Sequence, residues 1–166
     1  MGESKKVEFA TYIRNFIFGV EDSLVSTVGL ISGIAAAGVS KGNIFLTGII
    51  LIFVEAFSMG AGSYLSESSA EEYAKAKKSF SIQGALIMFF SYFAAGFIPL
   101  SPYLIFEINL ALVVSIILSL LALFILGTVS GQISKTNHSA RHGLKMLTIG
   151  GLAIAVGVIV GNLMTH

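Results

Sequence analysis

Glu107–Ser130 reads EINLALVVSIILSLLALFILGTVS, with no charged residue after Glu107. A membrane-spanning helix needs roughly 20 mostly apolar residues. A membrane barrel strand would instead alternate in polarity over about ten residues. This run is longer and does not alternate, so it predicts a helix in lipid. Four further stretches read the same way, at about 16–38, 43–66, 82–104 and 144–164. Pro99 and Pro102 bracket the end of the third, where a turn is expected because proline lacks an N–H and restricts its neighbour. No internal repeat, low-complexity tract or second domain interrupts the pattern. The expected fold is an all-α integral membrane protein, one domain over residues 1–166 with five transmembrane helices per protomer.

Composition points the same way. Of 166 residues 55% are hydrophobic and 11% charged, against about 25% charged in soluble domains. A water-soluble fold of this size has too much surface to hide so much apolar area. The net charge of +1 offers no field for nucleic acid. Cysteine is absent, which excludes disulfides, thiolate metal sites and thiol nucleophiles. No P-loop, Gly-x-Ser-x-Gly or His-Glu-x-x-His occurs, so the expectation is not an enzyme, with no permanently bound cofactor.

Basic residues in short loops set the orientation. With a cytoplasmic N-terminus, Lys5, Lys6, Arg14, Lys75, Lys77, Lys78, Lys135, Arg141 and Lys145 lie inside, and Lys41 alone of the ten basic residues lies outside. The C-terminus then falls outside. No cleavable leader or organelle signal is apparent, and with the small size this predicts a prokaryotic plasma membrane.

Three acids, Glu21, Asp22 and Glu55, fall inside predicted spans. A charge at mid-membrane costs roughly 2.5–3.5 kcal/mol on insertion scales, so such residues face a bundle interior or a pathway. On the first span Asn15, Asp22, Ser26, Gly29 and Gly33 share a small, polar stripe. Glu21 lies about 100° away among Ile17, Leu24, Val25 and Val28, and is the weaker candidate. On the second span Gly48, Glu55, Ser58, Met59, Gly62 and Ser66 share a face, with Ser63 at its edge. Carboxylate oxygens plus a thioether suit a borderline divalent metal such as Fe²⁺, Mn²⁺ or Co²⁺. Two plainer readings stand beside this one. Met59 as packing filler is as common, and Asp22 with Glu55 as a structural hydrogen-bonded pair would make the chain a membrane scaffold or sensor. Glu67, Glu71 and Glu72 follow the second span and either gather cations at a pathway mouth or form a solvated helix. His138 and His142 sit four apart with no third ligand in view, which favours a solvated loop. The pairs Gly29-x-x-x-Gly33 and Gly157-x-x-x-Gly161 read as helix-packing motifs.

Two of these segments carry a resemblance. Arg14–Leu30, RNFIFGVEDSLVSTVGL, and Glu55–Tyr64, EAFSMGAGSY, resemble the first- and second-helix motifs of the vacuolar iron transporter family. Ile98–Tyr103 and Gly143–Gly150 resemble its later spans. The resemblance implies a homodimer with the ion path between protomers, and export of Fe²⁺ or Mn²⁺ from the cytosol in exchange for protons. Asp22 matches the family's pathway aspartate and Met59 its methionine. Departures are visible too. Ser23 replaces the usual glycine, Ser63 stands where many members carry Glu, and Glu55 stands where many carry a small residue. The cytoplasmic metal-binding domain is reduced to about a dozen residues, leaving Glu67, Glu71 and Glu72. Expected partners are lipid, divalent metal ions and a second copy of the chain.

Overall fold

The computed structural model describes residues 3–75, 79–133 and 139–164. Every regular element among them is a helix: α1 Glu3–Ala36, α2 Lys41–Tyr73, α3 Ser81–Leu100, α4 Pro102–Ile105, α5 Ile108–Ile133 and α6 Ser139–Met164. All but α4 are long and apolar enough to cross a membrane. At 33 residues, α2 runs roughly 50 Å against a hydrocarbon core of ~30 Å, so it extends well past the bilayer. The third apolar stretch is not one helix. Pro99 sits in the last turn of α3 and Pro102 opens α4, a position where the missing N–H has no helical partner to lose.

Between α1 and α2 the chain turns at Gly38, whose φ of 73° is the left-handed conformation that glycine adopts most easily after a helix. The bundle is organised around α1, which packs on α3 and α6 and, less extensively, on α5. Helix α2 leans mainly on α3 and meets α1 sparingly. It buries a regular stripe, Ile44, Gly48, Ile52, Ala56, Gly60 and Ser63. One end of the bundle is closed by Ile31, Ile44, Ile52, Leu100, Tyr103 and Ala111; Leu24, Ala95 and Leu123 fill its middle.

The two glycine pairs meet each other. A Cβ at Gly157 would fall on the Gly29 carbonyl, one at Gly161 on the Gly33 carbonyl, and one at Gly33 would lie 2.6 Å from the Gly157 oxygen. Backbone therefore touches backbone where α1 crosses α6, the close approach that small residues permit in lipid. The outward faces carry Phe53, Phe57, Ile125 and Leu152, which lipid solvates without penalty.

Candidate functional site

Because α1 meets α2 so little, a groove of about 840 Å³ opens between them. Its α1 wall is Arg14, Ile17, Phe18 and Glu21; its α2 wall is Ser58, Met59, Gly62, Ser63 and Ser66; Met88 of α3 closes the back. The two helices run antiparallel, so their residues pair into three levels.

At the mouth, on the side of Arg14, four side chains form a network. Asn15 Nδ2 donates to Glu67 Oε1 at 2.6 Å and to Ser63 Oγ at 3.1 Å. Ser63 Oγ in turn donates to Glu67 Oε1 at 3.3 Å, and Arg14 Nη2 pairs with that oxygen at 3.1 Å. Asn15 and Ser63 are buried. One level deeper lie Glu21, Met59 and Met88. Met88 is 3% exposed and its sulfur rests against Gly19, where a Cβ would come within 3.3 Å. One turn beyond Met59 comes Glu55, in electrostatic reach of Asp22. Tyr92 feels both carboxylates, and its hydroxyl shares a 2.7 Å hydrogen bond with Ser26.

Ser23, at the position where the resemblance expects glycine, is buried and donates to the Tyr92 carbonyl at 2.7 Å. It ties α1 to α3 directly behind Asp22. A Cβ at the facing Gly96 would lie 3.0 Å from the Ser23 oxygen, so this hydroxyl fits against a glycine on α3.

The structure thus sorts the expected residues. Met59, Ser63 and Glu21 share the groove. Asp22 and Glu55 lie together at the next level. Glu21, expected on an apolar face, does stand beside Ile17 and Phe18, but that face is the groove wall. The three acids after the second span separate into three environments. Glu67 is folded inward, 10% exposed, while Glu71 Oε1 accepts the Phe80 N–H at 2.6 Å and so satisfies a donor at the start of α3. Glu72 is exposed. Sequence reading missed Met88, Tyr92 and the inward turn of Glu67. The last had a signal: 67 continues the buried stripe of α2, four residues after Ser63. His138 lies outside the described residues, and His142 packs its carbonyl toward Gly127 on α5. Among the described residues no three His, Cys, Asp or Glu side chains cluster as a metal site. Carboxylates, thioethers and hydroxyls are instead strung along the groove.

Fold and groove together define a multi-pass helical membrane protein with ionisable and sulfur-bearing side chains along an intramembrane cleft. The chain belongs to the VIT family, whose family model matches residues 13–81 and 76–162. It is similar to "Vacuolar iron transporter 1" of Arabidopsis thaliana, 23% identical over 93% of this chain and 86% of that protein. It is also similar to "Vacuolar iron transporter 1" of Tulipa gesneriana, 22% identical over 92% of this chain and 87% of that protein. A shorter match, 27% identical over 40% of this chain and 22% of the relative, is to "Vacuolar iron transporter" of Toxoplasma gondii. The Arabidopsis alignment spans 217 positions, more than the 166 residues present here, so that relative carries residues this chain lacks.

These names overturn the plasma-membrane expectation. The relatives are called vacuolar. The expectation rested on a missing leader and small size, and neither selects a membrane, because an uncleaved spanning helix needs no leader to insert.

Proposed function

We propose that this protein carries divalent iron, and Mn²⁺ with it, out of the cytoplasm through the α1–α2 groove as a homodimer, in exchange for protons. The observation that carries the reading is the chemistry of the groove. Glu21, Met59 and Met88 bring a carboxylate and two thioethers together inside the membrane, with Ser58, Ser63 and Ser66 beside them. A carboxylate with thioether sulfur suits borderline cations and is a poor match for Mg²⁺ or Ca²⁺ alone. Asp22 and Glu55, one level on, are the proton-exchanging pair. Metal binding to a carboxyl group releases its proton, which is the exchange asked of this pair. The names of the relatives support iron as cargo and a vacuole-type membrane as the setting.

The shape of the groove supports the homodimer reading. A lipid-facing cleft lined by acids would be costly. A second copy laid against α1 and α2 would cover it and double the ligand count. The apolar side chains there, Phe18 on the groove wall at 49% exposed and Val54 one turn before Ser58 at 59%, give that contact its apolar part. Because the chain has no cysteine, a single Val54→Cys reports this contact cleanly by disulfide crosslinking in membranes.

The decisive measurement is Fe²⁺ and Mn²⁺ uptake into liposomes across a pH gradient. Met59→Ala is expected to depress Fe²⁺ flux more than Mn²⁺ flux, and Asp22→Asn to depress both with loss of the pH dependence. Wild-type flux in both variants would remove the groove as the path. Reduced flux in Asp22→Asn with its pH dependence intact would place the proton-exchanging group elsewhere.

A further inference from the structure

The mouth of the groove already holds a cation, and it belongs to the chain. Arg14 reaches Glu67 Oε1 through Nη2 at 3.1 Å and Asn15 Oδ1 through Nη2 at 3.2 Å and Nε at 3.4 Å. The two partners of the ion pair are unlike. The Arg14 side chain is 66% exposed and Glu67 is 10% exposed. Glu67 is held in place by Asn15 and Ser63, both buried. Its other oxygen, Oε2, is buried without a hydrogen-bond partner and lies against Gly84, where a Cβ has no room.

As a clasp between α1 and α2 this is a poor device. A pair with one arm in solvent contributes little to stability, whereas a buried carboxylate oxygen lacking a donor is a cost. As a cation site it is well made. The oxygens around the guanidinium are a carboxylate, an amide carbonyl and a neighbouring hydroxyl, all hard ligands suited to a divalent cation. They are held by hydrogen bonds, and the charge that meets them sits on an exposed arm. Arg14 lines both the groove and a neighbouring cavity of about 300 Å³, which it shares with Glu67 and Glu71. The arm therefore stands between the aqueous side and Met59.

We propose that Glu67, Asn15 and Ser63 form an entrance site for a divalent cation, and that Arg14 is the tethered cation the metal displaces. The proposal rests on the reading of the groove as a metal path. Arrival of the metal releases the guanidinium toward water. Passage of the metal to Glu21 and Met59 leaves Glu67 unpaired again, and Arg14 returns to it, closing the mouth behind the ion. Hard oxygens thus take the cation first, and the thioethers discriminate afterwards.

The test reads binding apart from transport. Mn²⁺ is titrated into the purified full-length protein in detergent, and the free aqueous ion is followed by electron paramagnetic resonance. Arg14→Gln is expected to tighten Mn²⁺ binding by roughly two- to fivefold, the scale of removing one competing charge at an exposed position. Glu67→Gln is expected to weaken it by at least as much, and the double variant to follow Glu67→Gln. In liposomes the apparent KM shifts in the same opposite directions. A clasp predicts instead that both variants melt earlier and bind alike. Since Arg14 is exposed, Arg14→Gln keeps the fold and decides the matter alone: binding unchanged or weaker overturns the proposal. Opposite shifts in binding with no wild-type flux would sink the transport reading and leave the site. Wild-type flux without opposite shifts would sink the site only.

Discussion

Replacing Gly157 with alanine is expected to pry α1 from α6, and the size of the effect can be worked from neighbouring glycines. The new Cβ would fall on the carbonyl of Gly29, with backbone carbon beside it at 2.9 Å, and no flexible side chain is there to swing away. The helices must part by an ångström or so, which also loosens the Gly161–Gly33 contact one turn on. Overpacking of this kind costs roughly 1–3 kcal/mol. The same substitution gains about 0.5–1 kcal/mol from helix propensity. A net loss of ~1–2 kcal/mol remains. Gly151, on the same helix, has nothing within 4 Å of its Cβ position. There the propensity gain stands alone, so Gly151→Ala should stabilise. Gly29→Ala lies between, since its Cβ would meet the Ala153 oxygen at 3.2 Å and a small give absorbs that. The assay is reversible unfolding in mixed detergent micelles, with the three variants compared to wild type. The expected order of stability is Gly151→Ala, then Gly29→Ala, then Gly157→Ala, with ~1–3 kcal/mol between the ends, since the propensity gain is common to both. If Gly157→Ala matches Gly151→Ala, the two backbones are not in contact and the central packing of the fold is misjudged.

Two further substitutions probe what surrounds the groove. Ser23→Ala removes the 2.7 Å bond to the Tyr92 carbonyl and should cost ~0.6–1 kcal/mol in the same unfolding assay; its flux should fall further than its stability, because the bond sits behind Asp22. Glu71→Ala leaves the Phe80 N–H without its acceptor and should speed amide exchange at the start of α3 while leaving metal binding unchanged. A change in Mn²⁺ affinity in Glu71→Ala would instead make that carboxylate part of the mouth.

The membrane class and the five spans were legible because each span is an apolar run of sufficient length, and lipid permits only helices or closed barrels. The glycine pairs were legible as packing motifs, but not as partners of one another, since spacing along one helix does not say which helix it faces. The same limit hid the position of Glu21 in the groove wall. A helical wheel places Glu21 and Asp22 about 100° apart, yet which of them faces the cleft depends on where α2 lies, and α2 is positioned by α3. The inward turn of Glu67 was hidden for a different reason. A charged residue beyond the bilayer is solvated by default, and only the continuing four-residue stripe from Ile44 to Ser63 marks position 67 as inward.

The groove owes its openness to packing elsewhere. Along α1, Gly29 and Gly33 commit one face of the far half to α6, while Gly19 and Ser23 commit the near half to α3. Helix α2 reaches the same α3 through Gly60 and Gly48-side contacts with Phe89 and Leu100. Both walls of the cleft are therefore anchored mainly to a third helix, and beyond the Asn15–Ser63 and Asn15–Glu67 bonds at the mouth, closing the cleft would require breaking contacts that backbone-level packing makes stiff. A single copy holds acids and sulfurs apart at a fixed width. That suits a passage better than a binding cage, because tight enclosure of a metal by one protomer would need the walls to approach. In the proposed homodimer, a second copy laid on the cleft would supply further ligands without that movement.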